Sequence, residues 1–244
     1  MKLHVLPGDA YLDAFRGTDL QGDLAVFREC LIEGELWGPS LPELWKTREN
    51  YLSTSYPESD KSYTRDVAEE IEKLLVPGAG DEIYLWFEYE LFCSVNYWFC
   101  LYLLRDSFAA VCRVSPTVRD EETRWRGFGR LNSEDLLECW NDRVRLSAKD
   151  IQQGNELWQA FKTKNDAGLG VLGSYRSEAF PYLKEVTTAA ADIETRPKDI
   201  LTDISAHSNA EFHEVFSEFA KRAGVYGFGD VQVKRLLDEI KKAA

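Results

Sequence analysis

The residues in this sequence best able to do chemistry are charged ones placed just after strand-like runs. Asp9 follows Gly8 after the run 2–6, Arg28 and Glu29 follow 23–27, and Glu88 follows 82–87 with Glu90 two positions on. Several acids gathered on one rim either raise a carboxyl pKa, pair with an arginine, or bind a cation. Hard oxygen ligands suit Mg²⁺ beside a phosphorylated substrate, where the ion bridges protein and phosphate charge. Arg28 or Arg48 would then grip a phosphate or carboxylate through its planar fork. On this reading Asp9, Arg28, Glu29 and Glu88 are the catalytic set, and Gly8, Arg48, Glu90 and Asn96 bind ligand; no residues are assigned as metal ligands. The same side chains equally read as scaffolding, with Arg28 and Glu29 in structural ion pairs and Asp9 capping the helix after the first strand.

These side chains meet only if the runs before them are parallel strands of one sheet. In open α/β sheets, ligands bind beyond the carboxyl ends of the strands, where the strand order reverses. The run EIYLWF at 82–87 is apolar from Ile83 to Phe87, which suits a strand covered on both faces. From Leu91 to Leu104 nearly every residue is apolar, so a helix here is covered almost all round, and Ser94 and Asn96 near its start need partners. KLHVL at 2–6 leads through Pro7, Gly8 and Asp9 to a helical pattern at Tyr11, Leu12 and Phe15, the opening of a βαβ unit. DLAVF at 23–27 and FAAVCRV at 108–114 read as further strands. Helices are expected at 41–51, with Arg48 opposite its buried side or at the rim, and around Val67, Ile71, Leu74 and Leu75. Right-handed crossovers place four or five strands in one mostly parallel, Rossmann-like sheet.

The composition shifts near 116–126, and the pattern beyond is helical. The expected organisation is an α/β domain over 1–120 and a helical domain over 121–244. Ser147 with Asp150, and Ser208 with Glu211, read as capping boxes. Gly127-Phe128-Gly129 echoes Gly227-Phe228-Gly229, and two tight turns before helices account for the echo. Gly168 to Gly173 spells the dinucleotide fingerprint but follows a helix, so it reads as a flexible loop between helices. His4, His207 and His213 lack the spacing of a helical metal pair, so zinc is not expected. No serine sits in a G-x-S-x-G elbow. A helix-turn-helix with its turn at His207-Ser208-Asn209 would present glutamates to phosphate, which argues for packing or partner binding there.

A net charge of -13 and a pI near 4.8 disfavour nucleic acid and anionic membrane surfaces as partners. Five cysteines are odd in number and share no paired spacing, so they read as reduced core residues of a cytoplasmic protein. The first residues lack a signal-peptide pattern, and the longest apolar run, 91–104, is shorter than the roughly 20 residues of a membrane span. No targeting or membrane segment is expected.

The strings HVLPGDAYLDAF, DLAVFRECLIEGELWGPS and LWFEYELFCSVNYWFCLYLL, in this order, resemble a bacterial family catalogued as domain of unknown function 1835. The likeness continues through RGFGRLNSEDL, the helix with Trp158 and Phe161, FPYLKEV and FGDVQVKRLL, and so covers most of the chain. It implies a first strand led by His4 and ending at Gly8-Asp9, a second ending at Arg28-Glu29, and a third carrying Trp86-Phe87-Glu88-Tyr89-Glu90-Leu91-Phe92. Glu90 stands where that pattern has aspartate, and Phe27 where tryptophan is common. The resemblance implies a Rossmann-like half and a helical half; it supplies no reaction. The functional expectation is an enzyme acting on a small phosphorylated or nucleotide-like ligand. The alternative is a non-catalytic module whose helical half binds a protein partner.

Overall fold

Short, mostly apolar runs form one sheet: β1 (Lys2–Leu6), β2 (Asp23–Val26), β3 (Glu82–Trp86), β4 (Ala110–Val114) and β5 (Val144–Arg145), in the order β2-β1-β3-β4-β5. The first four are mutually parallel, and β5 runs antiparallel to β4. The computed structural model describes residues 1–56, 62–206 and 211–243. Between and after the strands lie α1 (Leu12–Arg16), α2 (Leu41–Ser55), α3 (Glu69–Glu72), α4 (Leu91–Leu103), α5 (Ser133–Asn141), α6 (Ala148–Lys162), α7 (Asp166–Leu172), α8 (Leu183–Ala191), α9 (Arg196–Ala206), α10 (Phe212–Ala223) and α11 (Asp230–Ala243).

Alternate strand residues supply two cores. Leu3, Val5, Ile83, Leu85 and Phe87 join the larger one, which takes in α2, α4 and most helices of the second half. Leu6, Tyr84 and Trp86 join the smaller one, closed by Phe15 of α1 and by Leu136 and Cys139 of α5, and the His4 ring lies against Phe15 and Tyr84 on that side. Both faces of β3 are therefore dry, which is why its sequence shows no polar alternation. Helix α4 is equally enclosed, lying against α6 at Gly154, where a Cβ would overlap Leu101.

The α/β class and mostly parallel sheet agree with the sequence, and the second half is helical apart from one element. That element is β5, which adds the edge strand, while α5 covers one face of the sheet. The larger core runs without interruption from Leu3 to Leu237. Strand β4 begins two residues later than its apolar pattern, leaving Phe108 exposed, and Leu75 is likewise exposed rather than part of a buried stripe. Gly168 to Gly173 is not a loop. Gly168 to Leu172 belongs to α7, whose first turn is capped by Asn165 Oδ1 accepting from the Gly168 amide at 2.9 Å and anchored by buried Leu169. The Ser147–Asp150 capping box is formed. Ser208 and the turn at 207–209 lie outside the described residues. The five cysteines are free, and among the described residues no helix is long and apolar enough to cross a membrane.

His4 is enclosed by aromatic rings, with Tyr84 stacked at 4.9 Å, and its Nδ1 accepts from Trp86 Nε1 at 3.2 Å. Burial lowers its pKa to about 4, against a smaller opposing pull from the Gln21 backbone. The unfolded chain therefore takes up this proton first as pH falls. Stability from neutral His4 is complete above about pH 6.5 and is lost between there and about pH 4. Melting temperatures should accordingly fall more steeply between about pH 7 and pH 5 for the wild type than for His4→Gln. Equal slopes for the two proteins would contradict this.

Candidate functional site at the carboxyl edge

Four parallel strands bring their carboxyl ends to one edge, and the strand order reverses between β1 and β3. The sequence-predicted residues lie along this edge in three separate groups. In the first, Arg28 Nε donates to both Asp9 oxygens, at 2.8 and 3.0 Å, and Nη2 stands 2.7 Å from Asp9 Oδ1. Arg28 Nη1 donates to the Asp66 carbonyl at 2.7 Å. This pair ties the ends of β1 and β2 to the helical stretch 64–75, and the fork expected to hold a phosphate is occupied by Asp9. Gly8 makes no close backbone approach, since a Cβ there would meet only the Tyr11 ring at 3.9 Å.

The second group is sealed. Glu29 and Arg48 have fully buried side chains, with Arg48 Nε and Nη2 donating to the two carboxylate oxygens at 3.0 and 2.9 Å. The remaining Arg48 donors go to the carbonyls of Glu33, Glu35 and Cys30. Tyr63 Oη and the Cys30 amide complete the shell of Glu29 at 2.8 and 2.6 Å. Asn96 clamps the same loop, donating to the Glu29 carbonyl at 3.1 Å and accepting from the Leu31 amide at 3.4 Å. Glu29, expected as a catalytic acid, and Arg48 and Asn96, expected to bind ligand, instead latch the loop after β2 onto α2 and α4. Arg48 is at the centre of this latch, not at a rim.

The third group sits at the joint between β3 and α4. Glu88 Oε1 accepts from Tyr11 Oη at 3.0 Å and from the Phe128 amide, and Oε2 receives the Cys93 thiol at 3.6 Å. Glu90 is the N-cap of α4, its Oε1 accepting from the Cys93 amide at 3.0 Å. Its Oε2 is buried and has no hydrogen-bond partner. Burial raises the carboxyl pKa of Glu88. Burial, and then the negative charge of Glu88, push Glu90 up to about 8. The joint itself is held by buried Arg113 of β4, which donates to the carbonyls of Glu88 and Ala179 at 2.9 and 2.7 Å and lies over Tyr97.

Two turns roof this pair of acids. Gly127, at φ +63°, lies so close to Glu88 that a Cβ would overlap the carboxylate; at Gly227, φ +68°, a Cβ would overlap the Cγ of Glu90. The repeated Gly-Phe-Gly string is thus two lids on adjacent acids, and both glycines are required by left-handed backbone and by the absence of space. Tyr11 and Cys93 were not singled out from sequence. The signals for them were slight: Tyr11 is two residues past the end of the first strand's turn, and Cys93 lies one helical turn past Glu90.

Removing one member of the buried ion pair leaves the other charge unpaired, a loss of about 3–5 kcal/mol. Arg48→Met should therefore melt roughly 6–20 °C below wild type. Glu29→Gln combined with Arg48→Met should recover part of that loss in denaturant melts, because no lone buried charge remains. Gly127→Ala and Gly227→Ala should each lower stability by at least about 1 kcal/mol, through positive φ and overlap with an acid. A full-length melt unaffected by either substitution would show that the turns do not press on Glu88 and Glu90. No family model matches the sequence, and no curated protein or solved structure matches it, so the chemistry of the site is argued from its own geometry.

Proposed function

We propose that this protein is an enzyme acting on a small phosphorylated or nucleotide-like ligand at the carboxyl edge of the sheet, with Glu88 and Glu90 as the acting groups. The observation that carries this reading is the placement of two adjacent carboxylates at the switch point, one with an oxygen that no protein donor satisfies. Glu88 is half-buried and Tyr11 beside it is only partly covered, so the pair is approached from the Tyr11 side. An anionic ligand reaching this edge would meet Arg28 by displacing Asp9, an exchange of one charge-assisted hydrogen-bonded partner for another. A cytoplasmic location, argued from unpaired cysteines, and membership of the resembled family belong to the same proposal.

Binding without catalysis is favoured by a different observation. A groove of about 520 Å³ at the opposite edge is lined by Leu41, Leu74, Leu75 and Phe108 together with Ser40, Arg105 and Asp106, and Leu75 and Phe108 are exposed there. Exposed apolar side chains rimmed by charged and polar ones mark interaction sites.

A thermal-shift series with nucleotides and sugar phosphates separates the two. Under the enzyme reading at least one ligand raises the melting temperature, by about 2.7 kcal/mol of stabilisation at a hundredfold excess over Kd. Glu88→Gln should remove that shift while Phe108→Ser leaves it in place. If no ligand moves the wild-type curve, the enzyme reading fails.

A further inference from the structure

Glu88, Glu90 and Cys93 each bring one donor atom into a space where all three lie within 4.8 Å of one another. The state of the oxygens distinguishes this group from an ordinary acidic cluster. In both carboxylates Oε1 is held by protein donors: Tyr11 and the Phe128 amide for Glu88, and the Cys93 amide for Glu90. The second oxygens are treated differently. Glu88 Oε2 has only a weak thiol contact, and Glu90, 4% exposed, leaves Oε2 buried with no hydrogen-bond partner. A buried carboxylate oxygen without a donor is costly unless something positive sits against it.

We infer that this pocket binds a divalent transition-metal ion, Zn²⁺ foremost, through Oε2 of Glu88, Oε2 of Glu90 and Sγ of Cys93. Metal–oxygen and metal–sulfur bonds of about 2.0–2.3 Å fit donor atoms spread over this distance. A thiolate ligand selects Zn²⁺ and its neighbours over Mg²⁺, which prefers oxygen alone. Tyr11 Oη and the Phe128 amide then serve as outer donors, fixing Glu88 so that its second oxygen faces the sulfur. Three protein ligands leave a fourth position for water or for a substrate oxygen, where the ion would act as a Lewis acid. The inference rests on the carboxyl-edge reading above and names the ion that this edge would hold. Histidine spacing gave no sign of it, since none of the three ligands is histidine.

The test uses the full chain, stripped with chelator and titrated with Co²⁺ and Zn²⁺. One ion per chain should bind, and Co²⁺ should give a sulfur-to-cobalt charge-transfer band in the near ultraviolet. Cys93→Ser should abolish the band, and Glu90→Gln should weaken binding by at least about tenfold. Cys139→Ser, whose sulfur lies in the other core, should change neither. Glu90→Gln replaces a buried acid by a neutral isostere, so in the metal-free state it should melt no lower than wild type, showing that weakened binding is not misfolding. Failure of both ions to bind, or a band that survives Cys93→Ser, overturns the inference. If metal fails to bind while phosphorylated ligands still raise the melting temperature, the metal inference falls and the enzyme reading stands. If metal binds and no such ligand shifts the curve, the enzyme reading falls and the metal site stands.

Discussion

The constraint on which this structure turns is that β3 and α4 are both enclosed, and only a short joint connects them. A strand dry on two faces and a helix buried on nearly every side hold the acids at the joint against protein, with Glu90 buried and Glu88 only partly covered. Glu88 and Glu90 are consequently held where their charge is expensive. Arg113 fixes the backbone of the joint from the neighbouring strand. A single geometric fact thus produces the depressed ionisation of both acids, burial acting first and, for Glu90, the charge of Glu88 second.

Around that joint the other charges of the edge are spent on architecture. The Glu29–Arg48 pair is the clearest case, because every donor of the guanidinium that the fold can reach is used and both side chains are sealed from solvent. Buried ion pairs add little net stability over apolar packing, but they define one arrangement of the loop that carries them. Asp9 and Arg28 do similar work closer to the surface, joining the first two strands to the helical stretch beside them.

Much of the fold was legible because burial on both faces writes itself into sequence as uninterrupted apolar runs, as in 82–87 and 91–104. The strand ends, and hence the edge where Asp9, Arg28, Glu29 and Glu88 emerge, followed from those runs and from the right-handed crossover. Which acid meets which arginine did not follow. Arg48 lies on a helix whose polar side would ordinarily face water, and only the tertiary position of Glu29 draws it inward. Cys93 reads as one more apolar residue of α4 until the carboxylates beside it are located. The Gly168 to Gly173 string reads as a loop because it spells a fingerprint in the wrong context, after a helix, whereas the Asn165 cap and buried Leu169 make most of it helix despite the low helix preference of glycine.

The two glycine lids come from places 127 and 227 in the chain, on either side of most of the helical half. A nascent polypeptide that has emerged only as far as α9 already possesses the strands, the joint and the first lid, yet Glu90 remains uncovered. The cover over Glu90 thus depends on a turn made only near the end of the chain, so a polypeptide that stops short of Gly227 has the joint and the first lid but lacks the second.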